Sequence, residues 1–235
     1  MKLFGLTGGV GMGKSAATQI LAQRAVPFID TDVLARKIVE PGQPALAEIQ
    51  RAFGANVIAP DGHLRRDELA RIVFSDPAAR HTLESLTHPR IRELWKQEVE
   101  QWRAQQSRIG VVVIPLLFET GAEKEFDATI CIACSTVTQG KRLSERGWNP
   151  EQISQRLAAQ WAIEKKIAKA DFVVWSEGSL EILAAQLDRI VTPDGQAASS
   201  PGSPEATVSP GLTKEEQWAL FEKELKESDW GHQPC

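Results

Sequence analysis

Gly8-Gly9-Val10-Gly11-Met12-Gly13-Lys14-Ser15 is the stretch that decides the fold. It matches G-x-x-x-x-G-K-[ST] from its first residue to its last. Leu3–Leu6 just before it is an apolar run short enough for a buried parallel strand, and Ala16–Ala25 can continue as a helix. Strand, glycine loop and helix is the context the motif requires. Glycines let backbone N–H groups converge on phosphate oxygens, and the following helix points its positive end at the same anion. Lys14 reaches toward the β- and γ-phosphates, and Ser15 offers a hydroxyl to Mg²⁺. The stretch predicts binding of a nucleoside triphosphate.

Outward from this loop, four more apolar runs read as buried strands: Val26–Ile29, Ile109–Ile114, Ala128–Ala133 and Phe172–Trp175. They do not alternate with polar residues, which suits a parallel sheet covered on both faces. Helical stretches separate them, so the fold class expected is α/β, a doubly wound parallel five-stranded sheet. Two of the connections are too long for one crossover helix. The first, about 36–108, contains helical stretches at Ala45–Phe53, Asp67–Phe74 and Pro77–Arg103, with Asp76 as N-cap. It reads as an inserted helical subdomain whose His81, His88, Trp95 and Trp102 either bind substrate or pack helices together. The second, about 138–168, carries Lys141, Arg142, Arg146, Arg156, Lys165 and Lys166. It is either a basic lid over the triphosphate or a solvated face.

Composition narrows the class. Of 235 residues, 42% are hydrophobic and 25% charged, as in ordinary globular proteins. No apolar run approaches the ~20 residues of a membrane span. With a strand and phosphate loop at its start, the chain is expected to lack a cleavable leader and to be cytoplasmic. Three cysteines make no disulfide framework, and Cys131-x-x-Cys134 falls in an apolar strand, so two reduced core thiols are expected. From Pro193 onward eight acidic residues face three lysines, which leaves the body near neutrality and without an electrostatic footprint for nucleic acid. Residues 193–212, rich in Pro, Ser, Ala and Gly, are expected to be a disordered linker. A capping box at Thr213-x-x-Glu216 then opens an amphipathic helix with Trp218, Phe221 and Leu225 on one face. That helix in 213–235 docks on the body or binds an unknown partner.

A second constellation accompanies the loop. Asp30-Thr31-Asp32 ends the second strand, and ligands of open α/β sheets sit outside the carboxyl ends of the strands. Alternation along a strand end is expected to direct both carboxylates to one side, facing the γ-phosphate. Such a group can accept the proton of an attacking hydroxyl. Arg36, one turn later, suits bidentate contact with substrate phosphates. Pro115-Leu116-Leu117-Phe118-Glu119 brings another carboxylate to the same edge, but no aspartate directly terminates the third strand.

Together these motifs resemble the dephospho-CoA kinase family over about residues 2–190. The resemblance rests on Leu6 through Ser15, Ile29-Asp30-Thr31-Asp32 with Ala35-Arg36, Glu40-Pro41-Gly42 and His88-Pro89. It continues through Pro115–Glu119, Arg142 with Arg146, Ala158-Ala159-Gln160 and Ala170-Asp171. It implies phosphoryl transfer from ATP, with Mg²⁺, to the ribose 3′-hydroxyl of dephospho-CoA. Asp32 is then the proposed base, Lys14 and Arg142 its catalytic partners, and Gly8, Gly9, Val10, Gly11, Met12, Gly13, Lys14, Ser15, Ala16 and Arg146 the ATP site. Arg36, His88 and Glu119 fall on the acceptor side, Glu119 in a positioning or metal-water role. Two departures stand out. Ala16 replaces a hydroxyl that meets the α-phosphate, a hydrogen bond worth about 1.5–3 kcal/mol. Trp175-Ser176 stands where the family shows Asp-Asn. Rival readings are another kinase of this architecture, such as a nucleoside monophosphate kinase, and a nucleotide-switched interaction module.

Overall fold

The computed structural model describes residues 1–191. The chain divides into two units, Met1–Asp194 and Gly195–Cys235. The linker and terminal helix expected in 193–235 lie outside the described residues.

Five parallel strands form one sheet in the order β2-β3-β1-β4-β5. They are β1 (Lys2–Gly8), β2 (Phe28–Asp30), β3 (Ile109–Val113), β4 (Ala128–Ala133) and β5 (Phe172–Trp175). Central β1, β3 and β4 are almost wholly buried, which is why their sequences are largely apolar and do not alternate with charged residues. β2 begins two residues later than the apolar run suggests. The amide of Val26 still bonds back to Leu21 at the end of the first helix, so the chain joins the sheet only at Pro27.

The helices among the described residues follow the expected insertions. α1 (Lys14–Gln23) leaves the phosphate loop and packs on the sheet with α9 (Leu180–Val191). Between β2 and β3 lie α2 (Thr31–Lys37), α3 (Pro44–Phe53), α4 (Arg66–Ser75) and α5 (Pro77–Ala104). These helices hold a core of their own, built on Ile38, Leu46, Ile49, Val57, Leu69 and Val73. α5 begins at its Asp76 cap, which accepts the Ala78 amide, and runs on through Pro89. Its far half turns Trp95, Val99 and Trp102 onto Leu3 and Val112, so these tryptophans fasten the insertion to the sheet. Between β4 and β5 lie α6 (Thr136–Glu145), α7 (Pro150–Ala158) and α8 (Ile163–Lys169).

Cys131 and Cys134 are both free and buried. Burial pushes the Cys131 thiol up to about 12, so it is inert as a nucleophile. No described helix is long and apolar enough to cross a membrane.

Candidate active site

β1 ends at Gly8 and the chain turns through the glycine loop into α1. Two glycines there are required by space as well as by backbone angle. A Cβ at Gly8 would stand 2.4 Å from the Ile132 carbonyl oxygen. Gly13, at φ 92°, would push one to within 2.8 Å of the Ser176 side chain. Lys14 folds back over the loop and donates to the carbonyls of Gly8 and Gly9 at 2.8 and 2.9 Å. Burial pulls its pKa down to about 8; Asp32 opposes that shift, and the charge of Lys166 adds to it.

Asp30 and Asp32 do not project together from a strand end. β2 stops at Asp30, and helix α2 begins at Thr31. Asp30 is the N-cap, its carboxylate accepting the Asp32 amide at 2.9 Å, while Thr31 pins the helix to β3 through the Val113 carbonyl. Strand alternation therefore does not apply, because the backbone has already turned helical. The cap leaves Asp32 in the first helical turn with its side chain open to the cleft. Loss of solvent and the neighbouring Asp30 charge raise the Asp32 pKa, against the pull of Lys14 and Arg36.

Two cavities lie in this region, one at Asp32 and one at the glycine loop. The larger, about 1040 Å³, is lined by Asp32, His88, Arg92, Lys96, Pro115 and Leu116 among others. It lies along α5 and opens at the sheet edge, so Asp32 and His88 share one space. Arg36 and Glu119 do not line it. Arg36 sits on the exposed side of α2, near enough to act on Asp32. Glu119 is turned inward, where it accepts the Trp161 amide at 2.9 Å and pairs with Lys166 at 2.8 Å.

The smaller cavity, about 340 Å³, is lined by Gly11, Gly13, Ser15, Ala16, Arg142, Arg146 and Ser176 among others. Arg142 in the last turn of α6 and Arg146 at its C-cap thus share this cavity with the glycine loop. Arg142 donates to the hydroxyl and carbonyl of Ser176 at 2.8 and 2.6 Å, and Ser176 donates in turn to the Met12 carbonyl at 2.9 Å. The adjacent Glu177 accepts the Ser135 amide and the Thr138 hydroxyl at the start of α6. Burial works against the Glu177 carboxylate, yet these hydrogen bonds hold it below its usual range.

Several residues of the site escape sequence reasoning. Gln139 of α6 donates to the Val10 carbonyl at 2.7 Å, and Gln160, in the link between α7 and α8, accepts the Val10 amide at 3.1 Å, so two segments of the second insertion grip one loop residue. Ser176 serves as the anchor for Arg142. Lys166 is wholly buried, although it sits in a basic run. Its spacing carries the signal: Lys166 shares a helical face with Ile163 and Ala170, which both pack into the core.

A phosphate loop, a carboxylate beside it and an acceptor-sized cavity behind that carboxylate describe a kinase. The dephospho-CoA kinase family model matches residues 2–181. The chain belongs to the dephospho-CoA kinase family. A dephospho-CoA kinase of Anaeromyxobacter dehalogenans is 44% identical over 192 residues, 81% of this chain and 91% of that one. One from Acinetobacter baylyi is 43% identical over 188 residues, 80% and 95% of the two chains. Among solved structures, a Thermus thermophilus protein matches with TM-score 0.72 and 32% identity, covering 82% of this chain and 97% of its own. The Campylobacter jejuni dephospho-CoA kinase matches with TM-score 0.61 and 26% identity, covering 82% and 96%. The fold is that of a P-loop kinase, and the enzyme acts in coenzyme A synthesis.

Proposed function

We propose that this enzyme transfers the γ-phosphoryl group of ATP to the ribose 3′-hydroxyl of dephospho-CoA, with Asp32 as the base. The observation that carries the assignment is the position of Asp32. It lines the large cavity and lies within electrostatic reach of Lys14 in the phosphate loop. An acceptor in that cavity presents its hydroxyl between the carboxylate and the triphosphate. Asp32 takes the hydroxyl proton as the oxygen attacks the γ-phosphorus, and the bond to the ADP oxygen breaks. Lys14, with Arg142 and Arg146 across the loop, neutralises charge spread over the transferring group. His88 contacts the acceptor from α5, and Arg36 acts at the acceptor's own phosphates.

Residues Gly8 to Ala16 hold the ATP phosphates through the loop amides. Mg²⁺ fits this donor set. Ser15 is exposed at the start of α1, and no cluster of three His, Cys, Asp or Glu ligands exists among the described residues. A hard cation held by one hydroxyl, phosphate oxygens and water matches magnesium's preference. Its chemistry there is neutralisation of phosphate charge. The functional unit is residues 1–192, with the α2–α5 insertion as acceptor domain and 138–168 as lid. A cytoplasmic setting with reduced thiols, and no membrane or nucleic-acid partner, agrees with the two buried free cysteines and the near-neutral body.

A coupled assay for ADP release tests the reading, with dephospho-CoA, AMP, CMP and shikimate as acceptors. Dephospho-CoA is expected to be the preferred acceptor by orders of magnitude. Preference for AMP or CMP would make it a nucleoside monophosphate kinase. Nucleotide hydrolysis with no acceptor phosphorylated would favour a switch module.

A further inference from the structure

We propose that Lys166 is a positioning residue for phosphoryl transfer, fastening the root of the second insertion to the strand ends and so setting Val10 of the phosphate loop. Its ammonium donates to the Pro115 carbonyl at 2.7 Å and pairs with Glu119 at 2.8 Å. The Pro115 carbonyl also accepts the Thr7 hydroxyl at 3.0 Å, immediately before the loop. The Glu119 oxygen paired with Lys166 accepts the Trp161 amide as well, at 2.9 Å. Trp161 follows Gln160, which holds the Val10 amide. The chain of contacts starts at one end of the loop, passes through the lysine and returns at the loop's middle.

Stability alone is a poor reason for this arrangement. A buried ion pair is often no better than apolar side chains of the same volume. The second Glu119 oxygen is buried and has no hydrogen-bond partner among the described residues, which adds a cost. What the charged pair supplies, and apolar packing does not, is direction. Three donors converge on two oxygens and fix the heading of the chain between α7 and α8. An error of about 1 Å in such a support costs on the order of 10²-fold in rate.

The proposal rests on the kinase reading, which the wild-type assay with dephospho-CoA tests separately. Lys166→Met alone would strand the Glu119 charge and destabilise the fold. The informative variants are therefore Gln160→Ala, Lys166→Met/Glu119→Gln and their combination, each assayed for kcat, melting temperature and affinity for a non-hydrolysable ATP analogue. Gln160→Ala is expected to lower kcat about tenfold with analogue affinity within about threefold and an almost unchanged melting temperature. The double variant is expected to show the same split between kcat and affinity. Adding Gln160→Ala to it costs nothing further, because both changes cut one chain of contacts. Wild-type kcat in Gln160→Ala or in the folded double variant would overturn the proposal, as would losses that simply multiply. If the double variant does not fold, Glu119→Gln with Lys166 retained enters the same comparison.

Discussion

Arg142 donates to Ser176 through both of its terminal nitrogens, at 2.8 Å to the hydroxyl and 2.6 Å to the carbonyl. The same hydroxyl donates to the Met12 carbonyl. A residue just past β5 thus links the arginine of α6 to the phosphate loop. Ser176→Ala removes the hydroxyl and keeps the carbonyl. A hydrogen bond to a charged group is worth about 1.5–3 kcal/mol. ATP-analogue affinity, measured by calorimetry, is expected to fall about tenfold. Unchanged affinity would show that the carbonyl alone holds Arg142.

Lys14 is the loop's own cation, held over the Gly8 and Gly9 carbonyls. Under the proposed mechanism, Lys14→Ala removes the charge that neutralises the transferring phosphoryl group. Turnover is expected to fall by ~10³-fold or more, with far-UV circular dichroism unchanged. Turnover within tenfold of wild type would remove Lys14 from the mechanism.

The loop, the five strands and the helical insertions were legible because each is written locally. A glycine pattern, a Val/Ile run or an Asp-Pro cap needs no knowledge of distant residues. The place of Asp32 beside the cleft follows from its position after a strand, but not by strand alternation, because Asp30 caps a helix there. Ser176 departs from the family pattern, and the fold gives it contacts with both Arg142 and the phosphate loop. It meets Arg142, 34 residues away, only through the folded sheet. Gln139 and Gln160 lie more than a hundred residues from Val10; Gln160 stands in a motif of the resemblance, but nothing local to either glutamine points to the phosphate loop. Lys166 was hidden in a basic run, its burial visible only from the apolar residues on its face.

The kinase body is expected to act without the acidic extension. The Anaeromyxobacter and Acinetobacter relatives match about four-fifths of this chain and at least nine-tenths of their own length. A chain ending at Asp194 keeps every described element of the site. Its kcat is expected to stay within about twofold, and its melting temperature within a few degrees. A larger loss would mean that 195–235 contributes to the body.

Asp32 offers a test in which activity and stability move in opposite directions. Asp32→Asn keeps size and a hydrogen-bonding oxygen but cannot take a proton. Turnover is expected to fall at least ~10²-fold, the scale of general base loss, with ATP-analogue affinity near wild type. Loss of solvent and the neighbouring Asp30 charge raise the Asp32 pKa in the folded protein. The folded state then binds the proton more tightly than the unfolded chain does. The ionised carboxylate therefore costs stability above the folded pKa, and this cost disappears below the unfolded value, where both states are protonated. Asp32→Asn is accordingly expected to melt higher than wild type at pH 7. The gap closes as pH falls through the raised pKa toward the ordinary aspartate range. In wild type the acid limb of kcat/KM follows the same group, so activity falls away at a higher pH than an ordinary aspartate would impose. The measurements are melting curves of both proteins from pH 3.5 to 8 and the pH profile of wild-type kcat/KM. A variant that melts below wild type at neutral pH would contradict the raised Asp32 pKa, and one that keeps its turnover while Asp30→Asn loses it would move the base from Asp32 to its neighbour.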